Sequence, residues 1–161
     1  MSQVVLITAD GGHFVVDADV AEGSELIKHM MLDLEISTDK IPLPNVRTEV
    51  MSKVLEYCAH YKGQCSELPI PGGSVCRNPT ADIPPWDRQF LEVEFPMLFQ
   101  LVIAANYLDI PRLLHVACKA IANVIRGKST EELRTLMGIV NDFSPDEERQ
   151  IRRENSWAES R

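Results

Sequence analysis

The chain lacks the patterns that mark most nucleic-acid-binding, membrane-spanning and catalytic proteins. It holds 16 Lys+Arg against 24 Asp+Glu, a formal net charge of −8 over 161 residues. A phosphate backbone is read by a basic surface, so this balance argues against nucleic acid and equally against an anionic membrane. Its longest uncharged stretch, Phe95 to Leu108, is too short and too polar to span a bilayer, which needs roughly 20 apolar residues. The N-terminus, MSQVVLITADGG, has no basic region ahead of its apolar run and reads as a strand, not a secretory signal. Cysteine is scarce: four, at 58, 65, 76 and 118, with no C-x-x-C spacing. They read as reduced thiols of a protein of the cytoplasm and nucleus.

Catalytic and metal-binding motifs are missing too. There is no G-x-G-x-x-G, no phosphate-binding lysine loop, no G-x-S-x-G and no H-E-x-x-H. Gly72-Gly73-Ser74 has no helix start behind it and supplies flexibility, not a phosphate cradle. Cys58, His60 and Cys65 have the wrong spacing for a zinc knuckle, and Cys58 belongs to the apolar face of a helix. A small thiol-dependent enzyme using Cys58 or Cys65 with His60 is the one catalytic alternative, and nothing in the sequence orients that histidine. His29 and His115 read as surface or half-buried side chains. No metal or cofactor is expected.

What is present is local order. VVLIT and HFVVD flank Asp10-Gly11-Gly12, a strong hairpin signal because the turn needs positive φ. Ser24 precedes Ile27, Met30, Met31 and Leu34 at the spacing of one helix face. IPLPNV, with prolines at 42 and 44, is restricted to an edge strand or an extended connector. Met51, Val54, Leu55 and Cys58 mark a second helix, with Gly63 as its stop. From 63 to 81 periodicity disappears among prolines and glycines, a flexible loop. Helices resume at Trp86, near Pro96 and at Pro111. In the last of these Leu114, Ala117, Ile121 and Val124 share a predicted core face, while Val116, Cys118 and Ile125 fall partly off it. Such a helix is apolar on two sides.

Two further helices announce their starts with capping boxes, Ser129-Thr130-Glu131-Glu132 and Ser144-Pro145-Asp146-Glu147. In the second the acids precede the bases, which suits the helix dipole. Yet it has only Ile151 to bury, and the chain then ends RRENSWAESR. A polar tail carrying Trp157, next to a helix apolar on two sides, points to a partner surface.

The residues also carry a family resemblance. NYLDIPRLL (106–114), CKAIANVIRGKSTEELR (118–134), NDFSPDEE (141–148) and ENSW (154–157) together resemble the S-phase kinase-associated protein 1 family, adaptors of SCF-type ubiquitin ligases. DGGHFVVD, IPLPNV and DIPPWDRQFL extend the likeness over nearly the whole chain. It implies an α+β, BTB/POZ fold: a small three-stranded sheet packed with helices over 1–126, with the 63–81 loop, and two C-terminal helices over 127–161. It implies a non-catalytic bridge to a cullin and to F-box proteins, and indirectly to a RING subunit and an E2. The matching cullin positions are Asn106 and Tyr107. The matching F-box positions are Leu114, Cys118, Ile121, Ile125, Arg134, Ile139, Asn141, Phe143, Ile151, Arg152, Asn155 and Trp157. An elongin-C-like or self-associating BTB protein is the alternative in the same class, against which the two terminal helices speak. The chain departs from the family pattern in its proline- and glycine-rich loop, at Phe95-Pro96 and at Ala158. Pro145 has a sufficient structural reason as a helix-start proline.

Overall fold

In the computed structural model, residues 3–33, 40–65 and 83–159 are described, with side chains as far as 157. Leu34, Gly72-Gly73-Ser74 and most of the 63–81 segment lie outside the described residues. The chain divides into two compact units, Met1–Arg126 and Gly127–Arg161.

The first unit is built on the hairpin. Strands β1 (Gln3–Thr8) and β2 (His13–Asp17) pair antiparallel, with Leu6 opposite Phe14. Gly11 takes the left-handed φ of +80° that the turn demands. Helices α1 (Ala18–Ala21) and α2 (Glu25–Asp33) then carry the chain across to β3 (Lys40–Leu43), which lies parallel to β1. A parallel partner needs such a helical crossover. The sheet order is β2-β1-β3, so β3 is an edge strand. Pro42, which has no N–H to give, is tolerated there.

The hairpin turn and the next helix, α3 (Thr48–His60), are joined by a compact polar knot. Asp10 accepts from the Thr48 hydroxyl at 2.6 Å, from the Thr48 N–H at 3.0 Å and from the Thr8 hydroxyl at 2.6 Å. It therefore does for α3 what a cap residue would, from 38 positions away. These hydroxyls, that of Thr48 first, hold the Asp10 carboxyl well below the usual carboxylate range. A depressed folded-state pKa contributes stability above the unfolded pKa of about 4, and that stability is lost as pH falls through and below it. Asp10→Asn is therefore expected to lower the melting temperature near neutral pH, with the gap to the natural protein closing on acidification. A gap independent of pH would assign the effect to shape and not to charge.

Three more helices complete the unit's layout: α4 (Pro85–Phe90), α5 (Phe95–Tyr107) and α6 (Pro111–Ile125) pack with α3 around one core. Leu6, Ile41, Met51, Tyr57, Leu101 and Leu113 are among the fully buried side chains. Trp86 and Phe90 stack at 5.2 Å, and both rings lie against Tyr57, which fastens α4 to α3. Ser24 caps α2 as its position suggests, accepting from the Ile27 N–H at 3.2 Å. Its hydroxyl donates to the Leu108 carbonyl. The α2 N-terminus also donates to Asp109 and Leu108 carbonyls, so one helix start closes the turn at the end of α5. Asp109 sits there at φ 51°, a conformation that Asp and Asn visit more readily than other non-glycine residues.

Two expectations need correction. Val116 is buried in the core of the first unit with Leu113, while Leu114 is only half-buried; the core face of α6 is rotated from the one its spacing suggested. Cys65 is buried against α3 and is not part of an open loop.

The second unit has no buried residue in either of its two longer helices, α7 (Thr130–Met137) and α8 (Pro145–Glu154). Both capping boxes form in full. Gly138, at φ 65°, stops α7, and Val140 lies beyond the helix. Asn155 closes α8, its side chain donating to the Ile151 carbonyl at 2.9 Å. A separate turn, α9 (Ser156–Glu159), carries Trp157.

Candidate interaction surfaces

On α6, Leu114, Cys118, Ile121 and Ile125 recur at i, i+4, i+7 and i+11. This spacing puts them on one narrow stripe of the helix. Cys118 is exposed and the three aliphatic residues are half-buried, beside the fully buried Leu113, Val116 and Ala117. The helix is thus apolar on two adjoining sides, and only one of them is spent on the core.

The second unit presents apolar side chains outward throughout. Val140 is 82% exposed, Trp157 73% and Ile139 55%, with Met137, Phe143 and Ile151 also open. What joins α7 to α8 is charge. Glu148 lies 3.6 Å from both Arg134 and Arg152, and Arg152 also pairs with Glu131. The Arg134 guanidinium lies over the Phe143 ring at 5.8 Å, and Asn141 accepts from the Phe143 N–H at 3.3 Å. Among the predicted positions, Arg134, Asn141, Phe143 and Arg152 therefore shape the surface, and Ile139, Ile151 and Trp157 supply its apolar area. The ion pairs are exposed ones, each worth at most about 1 kcal/mol. They orient two helices without providing a core.

At the Ser144 cap, the backbone N–H of Ser144 and then its hydroxyl hold the Glu147 carboxyl below its ordinary value. Glu147 is therefore ionised at neutral pH and keeps its role as the acceptor of the cap.

Asn106 is exposed and Tyr107 half-buried at the end of α5. The structure adds two residues that sequence reasoning missed. Phe99 and Ile103, 47% and 49% exposed, precede Asn106 at i−7 and i−3 and lie on the same face of α5. The signal was available: α5 is apolar nearly all round, as α6 is on two sides, and one core can cover only part of such a helix. Leu98, Leu101, Ala104 and Ala105 fill the buried face, so the two large residues have nowhere inward to go.

The thiol alternative finds no support in geometry. The Cys58 thiol is pushed up by its hydrogen bond to Cys65 and then by burial, which keeps it protonated and a poor nucleophile. The His60 ring is stacked flat on Trp86 at 3.6 Å, an orientation with a packing reason of its own. Among the described residues no cluster of His, Cys, Asp or Glu could hold a metal ion, and no helix is long and apolar enough to cross a membrane.

A POZ-type α+β unit followed by a small helical unit with outward apolar residues defines a class of interaction proteins. Residues 2–63 match the Skp1 family, tetramerisation domain, and residues 111–158 the Skp1 family, dimerisation domain. The chain is 51% identical over 159 residues, 99% of each chain, to the E3 ubiquitin ligase complex SCF subunit sconC of Neosartorya fischeri. It is 49% identical over 162 residues to the sconC subunit of Arthroderma otae, covering 99% of this chain and 96% of that one. Suppressor of kinetochore protein 1 of Schizosaccharomyces pombe is 48% identical over the full length of both. The chain belongs to the Skp1 family.

Proposed function

We propose that the chain is a non-catalytic adaptor of an SCF-type E3 ubiquitin ligase, joining a cullin to F-box substrate receptors in the cytoplasm and nucleus. The ligase's RING subunit and E2 reach it only through the cullin. The observation that carries the reading is the apolar surface left uncovered in each unit, on a chain with full-length likeness to SCF subunits. The α6 stripe and the outward residues of the second unit take the F-box. The exposed face of α5, with Phe99, Ile103, Asn106 and Tyr107, takes the cullin.

The two surfaces separate experimentally. Ile103→Glu places a charge in the α5 face without touching the core, and a charge desolvated at an interface costs several kcal/mol. It is expected to reduce cullin retention in a pull-down by at least about 100-fold while leaving F-box binding unchanged. Full retention of cullin by the variant would remove α5 from the cullin surface. If the natural chain retained neither partner, the adaptor reading itself would fail.

A further inference from the structure

The sheet has two edges, and only one of them is blunted. β3 carries Lys40 and Pro42 within its four residues, the charge and the missing N–H that keep an edge from pairing with another chain. β2, at the other edge, reads His13-Phe14-Val15-Val16-Asp17 without lysine or proline, and its register with β1 is unbroken over all five residues. The direction of its free backbone groups follows from the hairpin. The Thr8 N–H donates to the Gly12 carbonyl at 3.0 Å. Every second pair from there, Leu6 with Phe14 and Val4 with Val16, therefore exchanges hydrogen bonds inside the sheet. His13, Val15 and Asp17 turn their N–H and C=O groups outward, and among the described residues no backbone bond outside the ladder takes up those N–H groups. The Val15 side chain stands on the outer face of the sheet beside Val5, 65% exposed.

We propose that β2 is a docking edge for β2 of a second copy of this chain, the two strands antiparallel and centred on Val15. In that register the strand is complementary to itself. His13 of each copy lies opposite Asp17 of the other, Phe14 opposite Val16, and Val15 opposite Val15. The three residues with outward backbone groups all fall at hydrogen-bonded pairs. Asp17 has an oxygen to give: the Gln3 amide donates to its Oδ1 at 3.3 Å, and Oδ2 accepts from the His13 imidazole of the other copy. On the outer face the two Val15 side chains meet and join the two Val5 side chains in one apolar row across the strands. Sliding the strands by two residues would lose both His13–Asp17 pairs, so charge selects the register. A two-fold axis through Val15 closes the assembly at two copies and opens no fibre. Five residues a side bury little, so the dimer is a weak one. None of these residues belongs to the α5, α6 or second-unit surfaces, so the pairing stands independently of the adaptor reading.

Sedimentation velocity of the full chain from roughly 10 µM to 1 mM is expected to show the mass rising from 18.1 kDa towards twice that value. Val15→Pro removes an outward N–H without touching the β1 ladder, and is expected to leave the chain monomeric over the whole range. A charge exchange tests the register without a proline. His13→Asp sets Asp against Asp17, and Asp17→His sets His13 against His; each is expected to weaken the dimer by at least about 10-fold. The two together restore the opposite pairing and are expected to return the dissociation constant to within about 3-fold of the natural chain. A monomer at every concentration would overturn the proposal. So would a dimer that survives Val15→Pro, which the apolar surface of the second unit would then be holding, or single exchanges whose effects simply add in the double variant.

Discussion

Replacing Trp157 by alanine is expected to weaken F-box binding roughly 30- to 700-fold, a loss of about 2–4 kcal/mol. The free chain's stability is expected to stay within about 0.5 kcal/mol of the natural protein. The contrast follows from where the ring is. At 73% exposed, it contributes little by burial to the chain on its own, and a partner's helices would remove most of its area from water at once. α8 supports it by ending at Asn155, whose side chain satisfies the Ile151 carbonyl and lets the backbone turn before the residue is presented. Isothermal titration with an F-box peptide, beside urea denaturation of the free chain, checks both halves. A large loss of stability in the free chain would make Trp157 a structural residue and not an anchor.

Gly12→Ala is expected to cost about 2–4 kcal/mol of stability, although it adds one methyl group to a surface turn. A Cβ there would stand 2.1 Å from the Thr48 hydroxyl and 2.7 Å from that of Thr8. Neither hydroxyl can give way freely, because the two are 2.9 Å apart and both donate to Asp10. The methyl group must displace one, and with it goes the tie between the hairpin and the start of α3. Urea denaturation is expected to show a lower midpoint with an unchanged slope. A shift under about 0.5 kcal/mol would mean that the knot rearranges without loss, and that Asp10 is not what caps α3.

Much of the fold is legible in the sequence because its signals are local. The Asp10-Gly11 turn, the two capping boxes and the proline starts at 96 and 111 act over a few residues, and each forms where it is written. The interaction surfaces are less legible. The stripe of Cys118 and Ile125 could be separated from the core side of α6 by spacing, yet Val116 went to the wrong side. Which side of a doubly apolar helix is buried depends on what packs against it, and that is a property of α3 and α5. Phe99 and Ile103 were hidden for the same reason.

By itself the sequence determined the element order, the helix starts and the presence of more apolar helix surface than one core can take. These follow from backbone preferences, capping chemistry and periodicity, none of which needs a distant neighbour. Only the tertiary structure decided which apolar residues remain outside, that Asp10 caps a helix 38 residues on, and that Cys65 folds back into the core at the end of α3. Each of these is set by contacts between segments far apart in the chain, where burial and hydrogen bonding outweigh local propensity.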